Sequence, residues 1–411
     1  MSSASSPVPA ADPRLVSDAP GLAGVLQGFR RRISQGELGS LPVVVGLVLI
    51  WLTFYVANDR FLSAANLTNL MLQIAAMGTI SVGIVLVLLL GEIDLSAGVV
   101  SGLCAAAMAI LHVKQGWAPL PSLLAGLAVG AAIGTFQGLW ITRFRVPSFV
   151  VTLAGLLGWQ GALLFVLGNT GTVNIYTPLI TGLTGTFFEA AVAWPLAALA
   201  IVMHGGAVFL ERRSRAAAGL PLPLVRSAVG RVAVTAGAVL AAVAVFMEDR
   251  GLPLAVLIFV GLVAVVDLVL RRTRFGRHVL AVGGNAEAAR RSGIRVERIR
   301  VTIFALCSTL AAAGGILAAS RLFAVNQSSG SGDVLLNSIA AAVIGGTSLF
   351  GGRGSAWSAL LGALVIGSIS NGMDLLALSS SVKFMVTGAV LLVAASIDAL
   401  SRRGRQAAGR A

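Results

Sequence analysis

Long apolar runs constrain the fold of this chain more than any other feature of its sequence. The run from Met71 to Leu90 contains no charged residue, and about 18 such residues suffice to cross a bilayer as a helix. Because lipid offers the backbone no hydrogen-bond partners, only helices and closed barrels can span a membrane. The run lacks the alternation of apolar and polar residues that is typical of a barrel strand. The sequence therefore predicts an all-α, polytopic bundle of transmembrane helices.

The charged residues indicate the same class of protein. Only 11% of the chain is charged, against roughly 25% in soluble domains. A net charge of +14 would suggest a nucleic-acid partner in a soluble protein. Here the arginines concentrate between the apolar runs and at both ends of the chain, which is typical of cytoplasmic loops in membrane proteins. We therefore expect the chain to contact a lipid bilayer and no nucleic acid.

The order of apolar runs and arginine clusters predicts about twelve spans, with both termini in the cytoplasm. Residues 1–40 are predicted to form a disordered tail and a basic segment on the membrane surface. The transmembrane domain is expected to cover residues 41–400, with its tenth span near Leu335 to Phe350. Residues 401–411 are expected to form a cytoplasmic tail.

The longest polar interval between apolar runs is the loop at residues 271–300. It carries nine arginines against Glu287 and Glu297, and a Gly-Gly-Asn turn precedes a helix-forming run at Ala286–Arg291. A loop this basic is expected on the cytoplasmic side. Because it has turn and helix signals of its own, it is predicted to be a docking surface for a cytoplasmic partner.

Polar residues inside or beside the apolar runs are the candidates for a substrate pathway. Glu92 and Asp94 follow the second predicted span, and acidic residues at such positions are expensive in hydrocarbon. Two interpretations of Asp94 stand: it lines a pathway, or it caps the third span at the membrane surface. For Glu92 the surface interpretation is preferred.

Asn371 lies within an apolar run and indicates either a helix–helix contact or a position in the pathway. We expect Asp94, Ser96 and Asn371 to be the pathway residues.

No catalytic or metal site is predicted from the sequence. A Walker A loop needs a Gly-Lys pair, but the chain has two lysines, Lys114 and Lys383, and each follows a valine. The three histidines are scattered without metal-ligand spacing, and the two cysteines lie within apolar runs. We expect no enzyme activity and no cofactor in this chain, so an ATP-driven role needs another subunit.

Three stretches resemble one family of proteins. GEIDLSAG at Gly91–Gly98 resembles the motif GGIDLSVG, with Glu92 in place of a glycine. Residues Thr273–Ile294 resemble a cytoplasmic loop of the form TRFGR…AxGGNxxAAxxSGI, and AAAVIGGTSLFGGRG at Ala340–Gly354 resembles GGTSLxGGxG. These motifs are those of the permease subunits of bacterial ABC importers for monosaccharides, the ribose and xylose group. Three apolar runs between Phe188 and Leu270 resemble the longer xylose permeases.

The resemblance implies a multi-pass permease of the bacterial inner membrane that carries a monosaccharide, in this case D-xylose. Two permease copies would form the pathway as a homodimer. ATP-binding cassette subunits on other chains would bind ATP and Mg²⁺ and hydrolyse the ATP. A periplasmic sugar-binding protein would deliver the substrate.

The same resemblance implies that Ala281–Ile294 couples the permease to the ATPase, with Ala286–Arg291 as a short helix seated in the partner. The expected coupling residues are Gly283, Gly284, Asn285, Ala288, Ala289, Ser292 and Gly293. The alternative function is an ion-coupled secondary transporter of a small polar solute. Such a carrier would use Asp94 as its coupling acid and would need no docking loop.

Overall fold

The structure, a computed structural model, describes residues 41–220, 222 and 225–407. The predictions for residues 1–40 and for the last residues of the C-terminal tail lie outside the described residues. The helices in chain order are α1 (Leu41–Ala57), α2 (Ala64–Leu89), α3 (Ala97–Ala109), α4 (Pro119–Phe144), α5 (Ser148–Leu167), α6 (Pro178–Gly185), α7 (Ala190–Ala217), α8 (Val225–Met247), α9 (Leu254–Arg272), α10 (Arg274–Gly284), α11 (Ala286–Arg291), α12 (Val296–Leu322), α13 (Asp333–Ile344), α14 (Trp357–Leu375) and α15 (Ser380–Ala407).

Short 3-10 or π-helical segments lie at Asp59–Leu62, Ile110–Lys114 and Gly168–Thr170, and four short strands complete the secondary structure of the described residues. They are β1 (Thr172–Asn174), β2 (Phe187–Phe188), β3 (Leu252–Pro253) and β4 (Ala324–Asn326). Strands β1 and β4 pair antiparallel with Val173 opposite Val325, and β2 pairs with β3. These pairs connect loops at helix ends, so the architecture is a helix bundle, as predicted.

Nine helices of the described residues are long and apolar enough to cross a membrane, with α3 counted together with the π-helical segment that continues it to Lys114. Three shorter apolar helices accompany them, at Pro42–Ala57, Asp333–Ile344 and Ser380–Val393. The prediction that a tenth span covers Leu335 to Phe350 is wrong in its bounds and length. Helix α13 ends at Ile344 and has only 12 residues. A helix of that length extends about 18 Å, whereas the hydrocarbon core is about 30 Å thick. The helix stops where Gly346 takes a φ of +102°.

Helix α2 lies at the centre of the bundle. Every residue from Gly78 to Leu90 is buried, and α9, α12, α13 and α14 pack around the helix. Small residues allow this close packing. A Cβ on Gly314 of α12 would lie 2.7 Å from the Ala76 carbonyl oxygen, and one on Gly83 would lie 2.8 Å from the Cys307 carbonyl oxygen.

A glycine stripe on α4 holds that helix against α12. Gly130, Gly134 and Gly138 recur every four residues and therefore share one face. A Cβ on Gly134 would lie 2.2 Å from the Phe304 carbonyl oxygen, and one on Gly130 would lie 2.6 Å from that of Ser308. The two backbones are thus in direct contact, which is the packing that stripes of small residues permit in membranes.

The chain divides into two compact units, and Trp194–Ala242 belongs to the smaller one. Within Trp194–Ala242, Glu211 forms ion pairs with Arg215 at 3.7 Å and with Arg231 at 3.6 Å. This stretch covers most of α7 and α8, where the sequence indicated a longer form of the family. All of the site residues discussed below lie in the larger unit.

Candidate functional site

A cavity of about 440 Å³ lies among α2, α3, α12, α13 and α14. Small-molecule sites in proteins typically enclose about 300–1,000 Å³. Along α2 the lining extends from Gln73 to Ile80, which is about 10 Å of helix axis. Asn326, Ser328 and Asp333 also line the cavity and are exposed, so the cavity opens to the surface beside them.

The cavity exists because the segment after β4 folds back along the bundle. A Cβ on Gly102 of α3 would lie 1.9 Å from the Ser329 carbonyl oxygen, and one on Gly330 would lie 2.1 Å from that of Gly98. Irregular backbone of this kind is tolerated at membrane depth where it lines a cavity or is buried in protein. Helix α13 is short because it begins at this inner position, and its first turn lies beside that of α3.

Four half-buried polar side chains on four helices line the cavity. They are Gln73 on α2, Arg321 on α12, Asn337 on α13 and Ser370 on α14. Gln73, Asn337 and Ser370 make no side-chain hydrogen bond to another residue that the structure describes. Their amides and hydroxyl supply both donors and acceptors, which remain free for a solute.

The remaining lining is largely apolar, with Ile74, Met77 and Val334 among its members. It contains no aromatic side chain, and its charged residues are Arg321 and Asp333, one of each sign. A cavity with this lining suits a small, polar solute without net charge. The absence of an aromatic face removes the stacking contact that often strengthens the binding of sugar rings.

Asp94 and Ser96, two of the predicted pathway residues, lie outside the cavity lining in a buried hydrogen-bond network. Asp94 Oδ1 accepts hydrogen bonds from the Ser96 backbone N–H at 2.8 Å and from the Ser96 hydroxyl at 2.7 Å. The amide of Gln137 on α4 donates to Ser96 Oγ at 2.8 Å, and Cys307 Sγ lies 3.7 Å from Asp94 Oδ2. Asp94 thus binds Ser96, the residue before α3, and α3 has no side-chain cap hydrogen bond of its own; these contacts lie inside the bundle rather than at a membrane surface.

Asn371, the third predicted pathway residue, also lies outside the cavity lining. Its side-chain amide pairs with that of Asn66, with N···O distances of 2.8 and 3.0 Å in the two directions. This reciprocal pair joins α14 to α2 and is the helix–helix contact that was one of the two interpretations of Asn371. The neighbouring Ser370 lines the cavity instead.

The sequence analysis missed the cavity residues. Gln73 interrupts an apolar run in the same way as Asn371, so that signal could have identified it. Nothing in the sequence showed that Gln73 lines a cavity and that Asn371 does not. Both are polar residues in apolar helices, and only the packing shows which one has a partner.

The loop between α9 and α12 folds into two helices. The predicted helix Ala286–Arg291 is confirmed with the same bounds as α11, and α10 is an additional helix that was not predicted. Asn285 lies between them and caps α11, because its Oδ1 accepts a hydrogen bond from the Ala288 N–H at 2.9 Å.

The three motifs that suggested the family meet at the end of α10. A Cβ on Gly283 would lie 1.8 Å from the Leu89 carbonyl oxygen, and that oxygen accepts a hydrogen bond from the Gly352 N–H at 2.9 Å. A Cβ on Gly351 would lie 2.6 Å from the Gly283 carbonyl oxygen and 2.8 Å from the Gly91 nitrogen. The loop is therefore packed against the end of α2 and the glycine-rich segment before α14.

The seven expected coupling residues divide by exposure. Gly283 is partly buried in the contact with Leu89, and Ala289 is buried against the chain's own core. The other five are exposed, and we call them the docking surface: Gly284, Asn285, Ala288, Ser292 and Gly293. A partner could contact these five directly, whereas Gly283 and Ala289 position them.

Ion pairs connect α11 to the start of α12. Arg290 donates to Glu287 at 3.0 Å and to Glu297 at 2.9 Å. Glu297, through its hydrogen bond and its charge, and Glu287 raise the pKa of Arg290 above its ordinary value. These groups are solvent-exposed, and exposed pairs of this kind contribute little to stability.

Comparison with known proteins identifies relatives along most of the chain. The sequence profile of the family described as "Branched-chain amino acid transport system / permease component" matches residues 66–395. The xylose transport system permease protein XylH of Escherichia coli K12 is 38% identical over 363 residues, 88% of this chain and 92% of that protein. XylH of Haemophilus influenzae is 36% identical, covering 88% and 96%. The ribose import permease protein RbsC of Bacillus subtilis is 33% identical, covering 91% and 97%. No solved structure matches.

Proposed function

This chain belongs to the family of branched-chain amino acid transport system permease components, and from that premise we propose that it is the membrane-spanning permease of an ATP-binding cassette importer for a monosaccharide. The family description mentions amino acids, but the relatives compared above are named as xylose and ribose permeases. D-xylose is the proposed substrate. It is supported by the two xylose permeases among these relatives and by the three apolar runs between Phe188 and Leu270.

The packing of the α10–α11 loop against the membrane helices is the observation that carries this proposal. A loop whose only role was to orient the protein in the membrane would need positive charge, but it would need no contacts with the transmembrane helices. Here Gly283 admits the Leu89 carbonyl oxygen at a distance that no side chain would permit. A force applied to α11 by a partner would therefore reach the end of α2, the central helix.

We place the α10–α11 loop in the cytoplasm of a bacterium, because it is strongly basic. Helix α12 begins just after this loop and ends at the cavity, and its 27 residues extend about 40 Å. The mouth of the cavity then faces the periplasm, where a sugar-binding protein would release its ligand. This orientation places both termini in the cytoplasm.

ATP binding and hydrolysis are assigned to partner subunits. The sequence contains no Walker A pattern, so ATP and Mg²⁺ would be held by the ATP-binding cassette subunit on the docking surface. Two copies of the permease would pair as a homodimer around the pathway. Movement of α11 would switch the helices around the cavity between outward-open and inward-open arrangements.

The proposal is tested by reconstitution. The chain is purified with the ATP-binding and sugar-binding proteins of the same bacterium, and uptake of labelled D-xylose into proteoliposomes is measured together with ATP hydrolysis. We expect uptake that requires ATP, and hydrolysis that the xylose-loaded binding protein stimulates. Uptake that follows an ion gradient without any ATPase would instead establish the secondary transporter.

A further inference from the structure

The cavity among α2, α3, α12, α13 and α14 has, on its helices, three neutral, half-buried polar side chains that have no hydrogen-bond partner among the described residues. From this arrangement we infer that the permease itself binds a single neutral sugar in the cavity and selects it by its hydroxyl groups. This inference rests on the proposed function, since it assumes that a sugar passes through the chain. It goes further, because it assigns part of the substrate selection to the permease rather than to the protein that delivers the sugar.

The first argument is the convergence of uncommitted polar groups. Gln73, Asn337 and Ser370 come from three separate helices, and all three are half-buried in the cavity lining. Polar groups buried in protein are normally hydrogen-bonded, because leaving them without a partner costs free energy. Nearby Asn66 and Asn371 follow that rule by pairing with each other. The three cavity side chains are therefore available for a ligand that enters from the open side.

The second argument concerns charge. Helices α3 and α13 begin side by side next to the cavity, and helix N-termini attract anions. Each of these N-termini already has an acidic residue of the chain: Asp94 accepts from the Ser96 N–H just before α3, and Asp333 lies in the first turn of α13. Arg321 and Asp333 contribute one charge of each sign to the lining. The lining therefore has no net charge, which favours a neutral ligand over an anion.

The third argument concerns strength. The lining has no aromatic side chain, and the cavity is open at the exposed residues Asn326 and Ser328. Three neutral hydrogen-bonding side chains without ring stacking support only weak binding, with a dissociation constant on the order of 1 mM. Weak binding suits a transport pathway, because the sugar must leave the site again. It also makes the site easy to miss in assays designed for tight binders.

A zwitterionic amino acid is the competing ligand, because Arg321 and Asp333 offer one charge of each sign. Binding of an amino acid would depend on Arg321 and Asp333, whereas binding of a sugar would depend on Gln73 and Asn337. The two ligand classes therefore predict losses of binding in different variants. The sugar is favoured because three of the half-buried side chains without partners supply two amides and a hydroxyl, which match sugar hydroxyls.

The experiment measures binding to the purified permease alone, in lipid nanodiscs, by saturation-transfer NMR with D-xylose, D-ribose and L-leucine as probes. We expect saturation transfer to D-xylose, and about fivefold weaker binding in each of Gln73→Met and Asn337→Leu, since each loses one hydrogen bond. Gln115→Met is the matched control, because Gln115 is exposed and does not line the cavity, and it should bind as the wild type does. Melting temperatures verify that each variant is folded.

Three results would overturn the inference: no saturation transfer to sugar from the wild type, equal binding in all variants, or binding of L-leucine that is lost in Arg321→Gln. Uptake assays with the complete transporter distinguish failure of this inference from failure of the proposed function. If the wild-type complex takes up D-xylose but Gln73→Met and Asn337→Leu transport it with unchanged rates and sugar preference, only the inference fails. If the wild-type complex takes up no sugar, the proposed function fails.

Discussion

Glu92 and Arg300 form an ion pair with an N···O distance of 2.8 Å that joins the segment before α3 to the first turns of α12. Glu92 occupies a position where the motif that it resembles has a glycine, so the pair is a feature of this chain. The Glu92 side chain is only 13% exposed and that of Arg300 is 30% exposed. Together with the contact between Gly283 and Leu89, the pair links the end of α2 and the segment after it to the end of α10 and to the first turns of α12.

The first prediction concerns this ion pair. Glu92→Gln and Arg300→Gln should each lower stability by about 1–2 kcal/mol, between the values for exposed and buried pairs, because each leaves a partly buried charge without its partner. The double variant should lose less than the sum of the two, with a coupling free energy of at least about 0.5 kcal/mol. Thermal unfolding in detergent measures the stability of the two single variants and of the double variant. Arg298→Gln, at an exposed position nearby, is the control, and strict additivity would contradict the prediction.

The second prediction separates two adjacent glycines. Gly283→Ala should destabilise the protein by more than about 2 kcal/mol, because its Cβ would meet the Leu89 carbonyl oxygen at 1.8 Å and overpacking of this kind forces the backbone to move. Gly284→Ala should change stability by less than about 0.5 kcal/mol, as is usual for an exposed surface substitution, since nothing lies within 4 Å of its Cβ position. Melting temperatures of the two variants decide this. Equal melting temperatures would show that the loop is not packed as described.

The third prediction concerns the docking surface and uses two adjacent alanines. Ala288→Trp should leave the permease folded but prevent capture of the ATP-binding subunit, because Ala288 is exposed on α11. Ala289→Trp should instead lower the melting temperature, because Ala289 is buried and the core has no room for the larger side chain. Co-purification and melting curves distinguish the two effects. A folded Ala288→Trp variant that still captures the ATPase would remove Ala288 from the docking surface.

The fourth prediction concerns Asp94 and tests the alternative function. Asp94→Asn keeps the shape of the side chain and an oxygen that can accept from Ser96, so ATP-driven uptake should stay within about threefold of the wild type, the change for a loss of about 0.7 kcal/mol. Asp94→Ala should cost about 1–3 kcal/mol of stability, because the buried N–H and hydroxyl of Ser96 lose their acceptor. Uptake and unfolding are measured for both variants. An ion-coupled carrier with Asp94 as its coupling acid would lose coupling in Asp94→Asn.

The class of protein and the position of the α10–α11 loop could be predicted from the sequence, because both depend on local properties. Hydropathy along one helix decides whether that helix can leave water. The turn residues and the helix-forming run that predicted the helix at Ala286–Arg291 are likewise adjacent in the chain, and the cap at Asn285 acts within the next few residues. The basic loop was recognisable for the same reason, since its nine arginines fall within one stretch of 30 residues, 271–300.

The tenth span shows the limit of this local argument. The run from Leu335 to Phe350 is apolar enough to suggest a complete crossing, but α13 begins beside α3, where Gly330 meets Gly98. Its starting depth depends on a glycine contact between segments more than 200 residues apart in the chain. Hydropathy contains no information about that contact.

The candidate site was decided by tertiary structure alone. Gln73 and Asn371 are both amides within apolar helices, so they are equivalent in any argument from the sequence. Packing gives Asn371 a partner in Asn66 and turns Gln73 toward the cavity. The sequence by itself determined that this chain is a membrane helix bundle with a basic, partly helical loop between its apolar runs, since hydropathy, charge and helix signals act over a few residues. Only the tertiary structure decided which polar groups remain without partners, because that depends on helices that meet after folding.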